Sequence, residues 1–193
     1  MKVLAGALKG RRLETPSGTT TRPTADQVRI ALMDTLKPRL PGARVLDLFA
    51  GAGGVGLEAL SRGAAHATFV ERDTRAVAAL RANVETLGVA AQARVERADA
   101  RAALERLARE EARFDIVFLD PPYEDDAVTP TLERLGALPL LAEDGVVIAQ
   151  HLTKRAPPAE NGRLTAFRTR RFGETTLTFF RAGGYDSPIS KDV

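Results

Sequence analysis

The stretch ARVLDLFAGAGGVGLEALSRGA (residues 43–64) runs from an apolar segment through a cluster of glycines into a helix-forming segment. ARVLDLF (43–49) is almost continuously apolar, as in a strand covered on both faces of a sheet. From Gly53 to Arg62, the side chains of Val55, Leu57, Ala59 and Leu60 are available for helix packing. A strand that enters a helix through a glycine turn is a building unit of a parallel α/β sheet. The alternation continues outward. ATFVER (67–72) reads as a second strand, followed by a helix through Val77, Leu80, Val84 and Leu87. QARVER (92–97) reads as a third strand, with a helix over 100–111 behind it. FDIVFLD (114–120) and GVVIAQ (145–150) are the fourth and fifth. Repeated units of this length predict right-handed crossovers and a parallel sheet.

The two ends break this pattern. LTAFRTRRF (164–172) and TTLTFFRA (175–182), separated by Gly173-Glu174, predict a hairpin that closes the sheet with an antiparallel pair. Residues 1–22 hold short β-like pieces around Gly6 and Gly10, and a Pro/Ser/Gly/Thr loop spans 15–24. A helix is predicted from Ala25 to about Lys37, with Val28, Leu32 and Leu36 on one face. The tail from 183 to 193 has little to bury and is expected to be flexible.

A chain of 193 residues is enough for one domain with a sizeable core. Hydrophobic residues at 44% and charged residues at 27% exclude a disordered or fibrous chain. Cysteine is absent, which excludes disulfide scaffolds, thiolate zinc sites and cysteine nucleophiles. With His66 and His151 as the sole histidines, no metal is expected. The first residues are too short an apolar run for a secretory signal, and no segment reaches the ~18 apolar residues of a membrane span. The expected location is the cytoplasm. Charge is unevenly distributed. Residues 1–44 carry a net +6, residues 45–150 a net −7 and residues 151–193 a net +4. Basic ends of this kind bind polyanions, although the 23 arginines against 5 lysines also fit a simple coding bias.

The glycines Gly51, Gly53 and Gly56 form GxGxxG where a strand enters a helix. They permit a tight turn and close approach of a ligand to free N–H groups at the helix start. Glu71 follows Gly51 by twenty residues at the end of the next strand, where a carboxylate can bind a ribose diol. The alternative for Glu71 is a solvated strand-end charge. The expected cofactor is NAD or S-adenosylmethionine, and Asp47 begins to separate them. A carboxylate beside a pyrophosphate is repelled, whereas beside a sulfonium and an ammonium it is favoured. Asp99, just after the third strand, can reach an adenine amino group or cap the following helix.

Asp120-Pro121-Pro122-Tyr123 lies at the carboxyl end of the fourth strand, the edge where open α/β sheets bind ligands. Two prolines remove N–H donors, so the carbonyls there only accept. Acceptors together with the Tyr123 ring suit a planar base that presents an NH2 group. The bland alternative is a proline-rich strand exit with a structural tyrosine. His151, at a strand end, is read as structural and stays outside the expected site.

These motifs occur in an order similar to class I S-adenosylmethionine-dependent methyltransferases that act on nucleobase amines: LDLFAGAG, FVERD, RADA, DPPY. More narrowly, GALKGRRLETP, RPTADQVRIAL, LDLFAGAGGVGLEALSRGA and FGETTLTFFR resemble the bacterial 16S rRNA guanine-N2 methyltransferases of the RsmD type, over about residues 3–182. Where an acidic residue is expected after the fifth strand, this chain has Gln150-His151.

The resemblance implies a Rossmann-like α/β fold with a seven-stranded, mostly parallel sheet containing one antiparallel strand, plus an N-terminal hairpin. It implies an RNA-contacting extension over 1–24 and a catalytic domain over 25–182. Asp47, Phe49, Gly51, Gly53, Glu71 and Asp99 would hold S-adenosylmethionine, and Asp120, Pro121 and Tyr123 would carry catalysis. Arg11, Arg12, Arg22 and Pro122 would touch the substrate. That substrate would be 16S rRNA in a small-subunit assembly particle, met by a monomer. For Arg22, an ion pair with the acidic core that pins the extension is the alternative. An NAD oxidoreductase explains the glycine loop but not DPPY. A non-catalytic RNA-binding factor explains the basic ends but needs no cofactor site, and an adenine-N6 methyltransferase shares DPPY.

Overall fold

The chain enters its sheet in the middle and works outward in both directions. In the computed structural model, which describes residues 1–16, 23–122 and 126–183, α1 (Pro23–Leu36) precedes β1 (Arg44–Leu48). There follow α2 (Gly54–Ser61), β2 (His66–Glu71), α3 (Thr74–Leu87), β3 (Ala93–Arg97), α4 (Ala100–Arg109) and β4 (Phe114–Leu119). The chain continues with α5 (Val128–Ala137), β5 (Leu141–Leu152), β6 (Glu160–Asn161), β7 (Leu164–Phe172) and β8 (Thr175–Ala182). The sheet order is β3-β2-β1-β4-β5-β8-β7-β6. Strands β1 to β5 pair in parallel, and β5–β8, β8–β7 and β7–β6 pair antiparallel.

The expected Rossmann-like α/β arrangement stands, with two corrections. The sheet has eight strands and not seven, because Glu160–Asn161 adds a two-residue edge strand to β7. The single antiparallel strand is also corrected: β8 and β6 both run against β1–β5. Helix α5 falls where the periodicity reading assigned nothing. Its Pro130 sits in the first turn, where a missing N–H removes no helix bond. The flexible tail expected over 183–193 lies, beyond Gly183, outside the described residues.

Each face of the sheet carries its own apolar layer. Val45, Ile116, Phe118, Val146 and Ile148 pack with Leu32 of α1, Leu57 of α2 and Leu80 of α3. Leu46, Leu48, Val117, Leu119, Val147 and Ala149 pack with Leu104 of α4 and Leu132 of α5. This is the two-residue alternation of a strand, and it fixes which face each later side chain joins. Helix α2 lies very close to β2 at Gly56, where a Cβ would stand 2.3 Å from Cε1 of the fully buried Phe69. Gly56→Ala is expected to destabilise the protein by about 1–3 kcal/mol through overpacking, read as a lower denaturant midpoint.

The N-terminal residues fold back on themselves. Lys2 and Arg12 form an antiparallel bridge, and the Val3 N–H donates to the Arg11 carbonyl at 3.0 Å. Buried Val3 and Leu13 anchor this small hairpin in the core. Glu58 on α2, also buried, accepts from the Leu4 and Ala5 N–H groups at 2.7 and 2.9 Å.

Candidate active site

Strand order reverses between β1 and β4, so the loops that leave their carboxyl ends diverge and open a crevice. Pleat alternation then sets the chemistry. Ile116 and Phe118 belong to the α1–α3 face, so Asp120 continues that face; Val146 and Ile148 do the same for Gln150. Asp47 follows Val45 on the same side. Three adjacent strands therefore deliver Asp47, Asp120 and Gln150 to one cavity of about 360 Å³. His151 falls on the opposite face. It is buried, with Nε2 2.8 Å from the Thr178 hydroxyl and Nδ1 2.9 Å from the Leu152 carbonyl, and burial lowers its pKa.

The glycine loop forms one wall. Gly51 and Gly53 have φ of +54° and +87°, the left-handed region that a Cβ disfavours. Phe49 also adopts a positive φ, +63°, which is costly for an aromatic residue and is held by the surrounding structure. Its side chain borders both the 360 Å³ cavity and a second of about 710 Å³ near Asp99, Arg72 and Leu104. Glu71 ties the loop down. One of its oxygens accepts from the Gly51 N–H and the other from the Asp73 N–H, each at 2.8 Å. Asp99 caps α4, accepting from Arg101 and Ala102 N–H groups at 2.9 and 3.4 Å, and also lines the second cavity.

Asp47 is buried and accepts from the Gly56 N–H at 2.9 Å. Burial pushes its carboxyl up to about 7; the Gly56 hydrogen bond opposes this, and the negative charges of Asp120 and Glu71 add to it. Burial likewise pushes Asp120 up to about 7, opposed by a hydrogen bond from the Gln150 amide. A cation entering this cavity would favour the ionised form of both carboxyls, so the pair suits a cationic ligand better than an anionic one. Among the described residues, no group of three or more metal-ligating side chains occurs, and no helix is long and apolar enough to cross a membrane.

Pro121 and Pro122 border a small cleft beside His151 and Arg155. Tyr123 and Arg22 lie outside the described residues. Arg11 and Arg12 are exposed on the N-terminal hairpin, away from the cavity walls. Arg11 donates through Nη2 to the Thr86 carbonyl at 2.8 Å, near the end of α3.

Three further residues lie outside the expected site set, Gln150 having been noted only as a departure after the fifth strand. Gln150 contacts Asp120, and its alternation with Val146 and Ile148 was the available signal. Arg29 is 6% exposed on the helix stripe that carries Leu32 and Leu36, an unusual place for a cation. Asn83, a polar residue among Leu80, Val84 and Leu87, joins the N-terminal segment to the glycine loop. Its oxygen accepts from the Glu14 N–H at 2.7 Å, and its amide donates to the Glu14 and Ala52 carbonyls at 3.0 Å.

Known proteins share this arrangement across almost the whole chain. The family model described as "Conserved hypothetical protein 95" matches residues 1–181. The putative rRNA methyltransferase YlbH of Bacillus subtilis is 39% identical over 184 residues, covering 95% of this chain and 100% of that protein. Ribosomal RNA small subunit methyltransferase D of Escherichia coli is 32% identical over 181 residues, covering 94% and 89%. The chain belongs to the RsmD-type rRNA methyltransferase family. Solved structures agree with this family assignment. The putative methyltransferase yhhF of Escherichia coli superposes with a TM-score of 0.83 at 31% identity, covering 94% of this chain and 97% of that one. Protein TTHA0928 of Thermus thermophilus gives 0.80 at 33%, covering 93% and 98%.

Proposed function

We propose that this protein transfers the methyl group of S-adenosylmethionine to the exocyclic N2 amine of a guanine in 16S rRNA, on a small-subunit assembly particle in the cytoplasm. The observation that carries the reading is the delivery of Asp47, Asp120 and Gln150 to one cavity walled by the glycine loop. The residues fit the cofactor. Asp47 offers a buried carboxylate to a cationic group, Glu71 keeps acceptor capacity for a ribose, and Asp99 lies at the second cavity for an adenine amine. The names of the YlbH and methyltransferase D relatives support rRNA as substrate.

S-adenosylmethionine supplies an electrophilic methyl group with a neutral thioether as leaving group. The remaining work falls to the chain. A guanine N2 lone pair is delocalised into the ring, so the amine is a poor nucleophile. Asp120 and the Pro121 carbonyl accept its N–H groups and turn the lone pair out of conjugation. Tyr123 stacks on the base after it leaves its RNA context. Asp120, with its carboxyl near 7, is matched to hold the proton that the amine loses. Rate then depends on alignment and fixed electrostatics. The test is methyl incorporation from labelled cofactor into undermodified small-subunit particles, followed by nucleoside analysis. N2-methylguanosine supports the reading; N6-methyladenosine or no incorporation refutes it.

The N-terminal hairpin is the proposed RNA grip. Replacing Arg11 and Arg12 together with alanine is expected to weaken particle binding and flatten its salt dependence. The log–log slope should fall by about 0.7–0.9 per lost phosphate contact. Loss of the Arg11–Thr86 bond costs some stability, whereas cofactor affinity stays unchanged. An unchanged slope with an early melt would make the arginines purely structural.

A further inference from the structure

The basic ends of the chain reach opposite flanks of the cavity. The N-terminal hairpin packs on α2 through Glu58 and on α3 through the Arg11–Thr86 bond, over the β1–β3 half of the sheet. The C-terminal cations lie on the β5–β8–β7 half. Strand β8 pairs antiparallel with β5, and β7 antiparallel with β8, so Leu152, Thr175 and Phe172 are in register at one edge. That is the edge from which Asp120 and Gln150 enter the cavity. Gln150 and Arg170 are in register two strands apart, a separation of about 10 Å. The β7–β8 turn is fastened to the 3-10 turn Thr153–Arg155 that follows β5. The Thr153 N–H donates to the Glu174 carbonyl at 2.7 Å, and its hydroxyl donates to the Gly173 carbonyl at 3.3 Å.

Three cations stand on this rim. Lys154 is exposed and has no hydrogen-bond or ion-pair partner among the described residues. Arg171, also exposed, engages only its Nε, on the Gly173 carbonyl at 2.9 Å, and both Nη groups lack a partner among the described residues. Arg155 borders the cleft formed with Pro121, Pro122 and His151. Arg171 is in register with Thr176, and Thr176 with His151, so Arg171 shares the face of that cleft. Asp126 in the cleft and Glu174 at the turn offset part of the charge. Arg170 differs. It lies on the other face, where Nη1 donates to the Thr35 hydroxyl at 2.8 Å and ties β7 to α1.

We infer that Lys154, Arg155 and Arg171 form a second RNA-backbone rim, which holds phosphates beside the target base on the flank opposite the N-terminal hairpin. The inference rests on the rRNA reading above and adds the surface that the C-terminal cations serve. A base drawn out of its stack takes the sugar-phosphate chain on both sides with it, so two anchors position it better than one. The rim meets that need. Its cations border the Pro121-Pro122 turn that faces the base amine, yet none of them lines the cavity holding Asp47 and Asp120. A phosphate bound there therefore avoids the two carboxyls that would repel it inside. The fastened turns also hold Arg171 and Lys154 on one rigid support, so little ordering is needed on binding.

The test is binding to undermodified small-subunit particles, and to protein-free 16S rRNA, across a salt series. Lys154→Gln with Arg171→Gln is expected to lower the log–log slope by about 1.4–1.8, two phosphate contacts, and to weaken binding roughly 10- to 30-fold at about 0.15 M salt. S-adenosylhomocysteine affinity should stay within two-fold. Lys154→Gln alone should give about half the change, so the test stands even if the double variant does not fold. Arg170→Gln removes the same charge from the α1 face and should leave the slope as it is. An unchanged slope in the double variant overturns the rim and leaves the cations a solvated face. An equal slope loss in Arg170→Gln also overturns it, because the effect would then follow net charge and not place. So does weakened particle binding with protein-free rRNA binding unchanged, which would assign the rim to an acidic ribosomal protein. Failure of the unaltered protein to methylate the particles overturns the rRNA reading, and the rim falls with it; methylation by the unaltered protein with no slope change in the variants overturns the rim alone.

Discussion

Asp120→Ala is expected to lower the single-turnover rate of particle methylation by about 10²- to 10⁴-fold, the usual contribution of a positioned acid–base group. S-adenosylhomocysteine should still bind, because Asp47, Glu71 and the glycine loop are untouched. The variant also has a signature that a merely unfolded protein lacks. Asp120 is one of the negative charges that raise Asp47. Its removal lets the Asp47 carboxyl fall, so the pH midpoint of cofactor binding moves downward. Asp120→Asn keeps one acceptor oxygen and should lose less activity than the alanine variant. Turnover at the normal rate in Asp120→Ala would remove this residue from the chemistry.

Much of the site was legible because it sits on sequence-local grammar. The glycine loop, Asp47 and Glu71 fall within one strand–turn–helix–strand unit, where twenty residues of separation bring Glu71 to the Gly51 N–H at 2.8 Å. DPPY could be read in the same way, from its place after a strand whose apolar run ends at Leu119. The eighth strand was not legible, since two residues, Glu160 and Asn161, carry no periodicity. Helix α5 was obscured by Pro130, a residue that excludes a helix interior but suits a first turn. Gln150, noted only as a departure, and Arg29 were not placed at the cavity for another reason. Their positions at the cavity depend on which face of a strand or helix meets it, and that is set by packing across elements distant in sequence. Asn83 is similar: its three partners, Glu14 N–H, Glu14 carbonyl and Ala52 carbonyl, come from two segments that nothing local connects to α3.

Asp47→Asn is expected to make the ligand-free protein more stable at pH 8 and a poorer cofactor binder. The carboxyl titrates near 3.8 in an unfolded chain and near 7 in the fold. Between those values the folded state binds more protons than the unfolded one, so stability falls as pH rises through the window and levels off above it. One pK unit is worth about 1.4 kcal/mol, so the ionised, ligand-free protein bears a cost of up to about 4 kcal/mol at this residue. An asparagine keeps an oxygen for the Gly56 N–H and carries no charge to desolvate. Its melting temperature should therefore exceed the parent's at pH 8, and by a clearly smaller margin at pH 5, where only the lower third of that window has been crossed. Cofactor binding reverses the balance. A cation beside Asp47 lowers its pKa, so binding releases protons between about pH 5 and 7, and affinity rises with pH until the carboxyl is ionised in the free protein. The variant should lose that pH dependence and about 10- to 100-fold in affinity, the worth of a charge-assisted contact. Thermal melts at the two pH values, with and without S-adenosylhomocysteine, read both effects together. A variant less stable than the parent at pH 8, with cofactor affinity intact, would mean that Asp47 serves the turn at Gly56 and not the ligand.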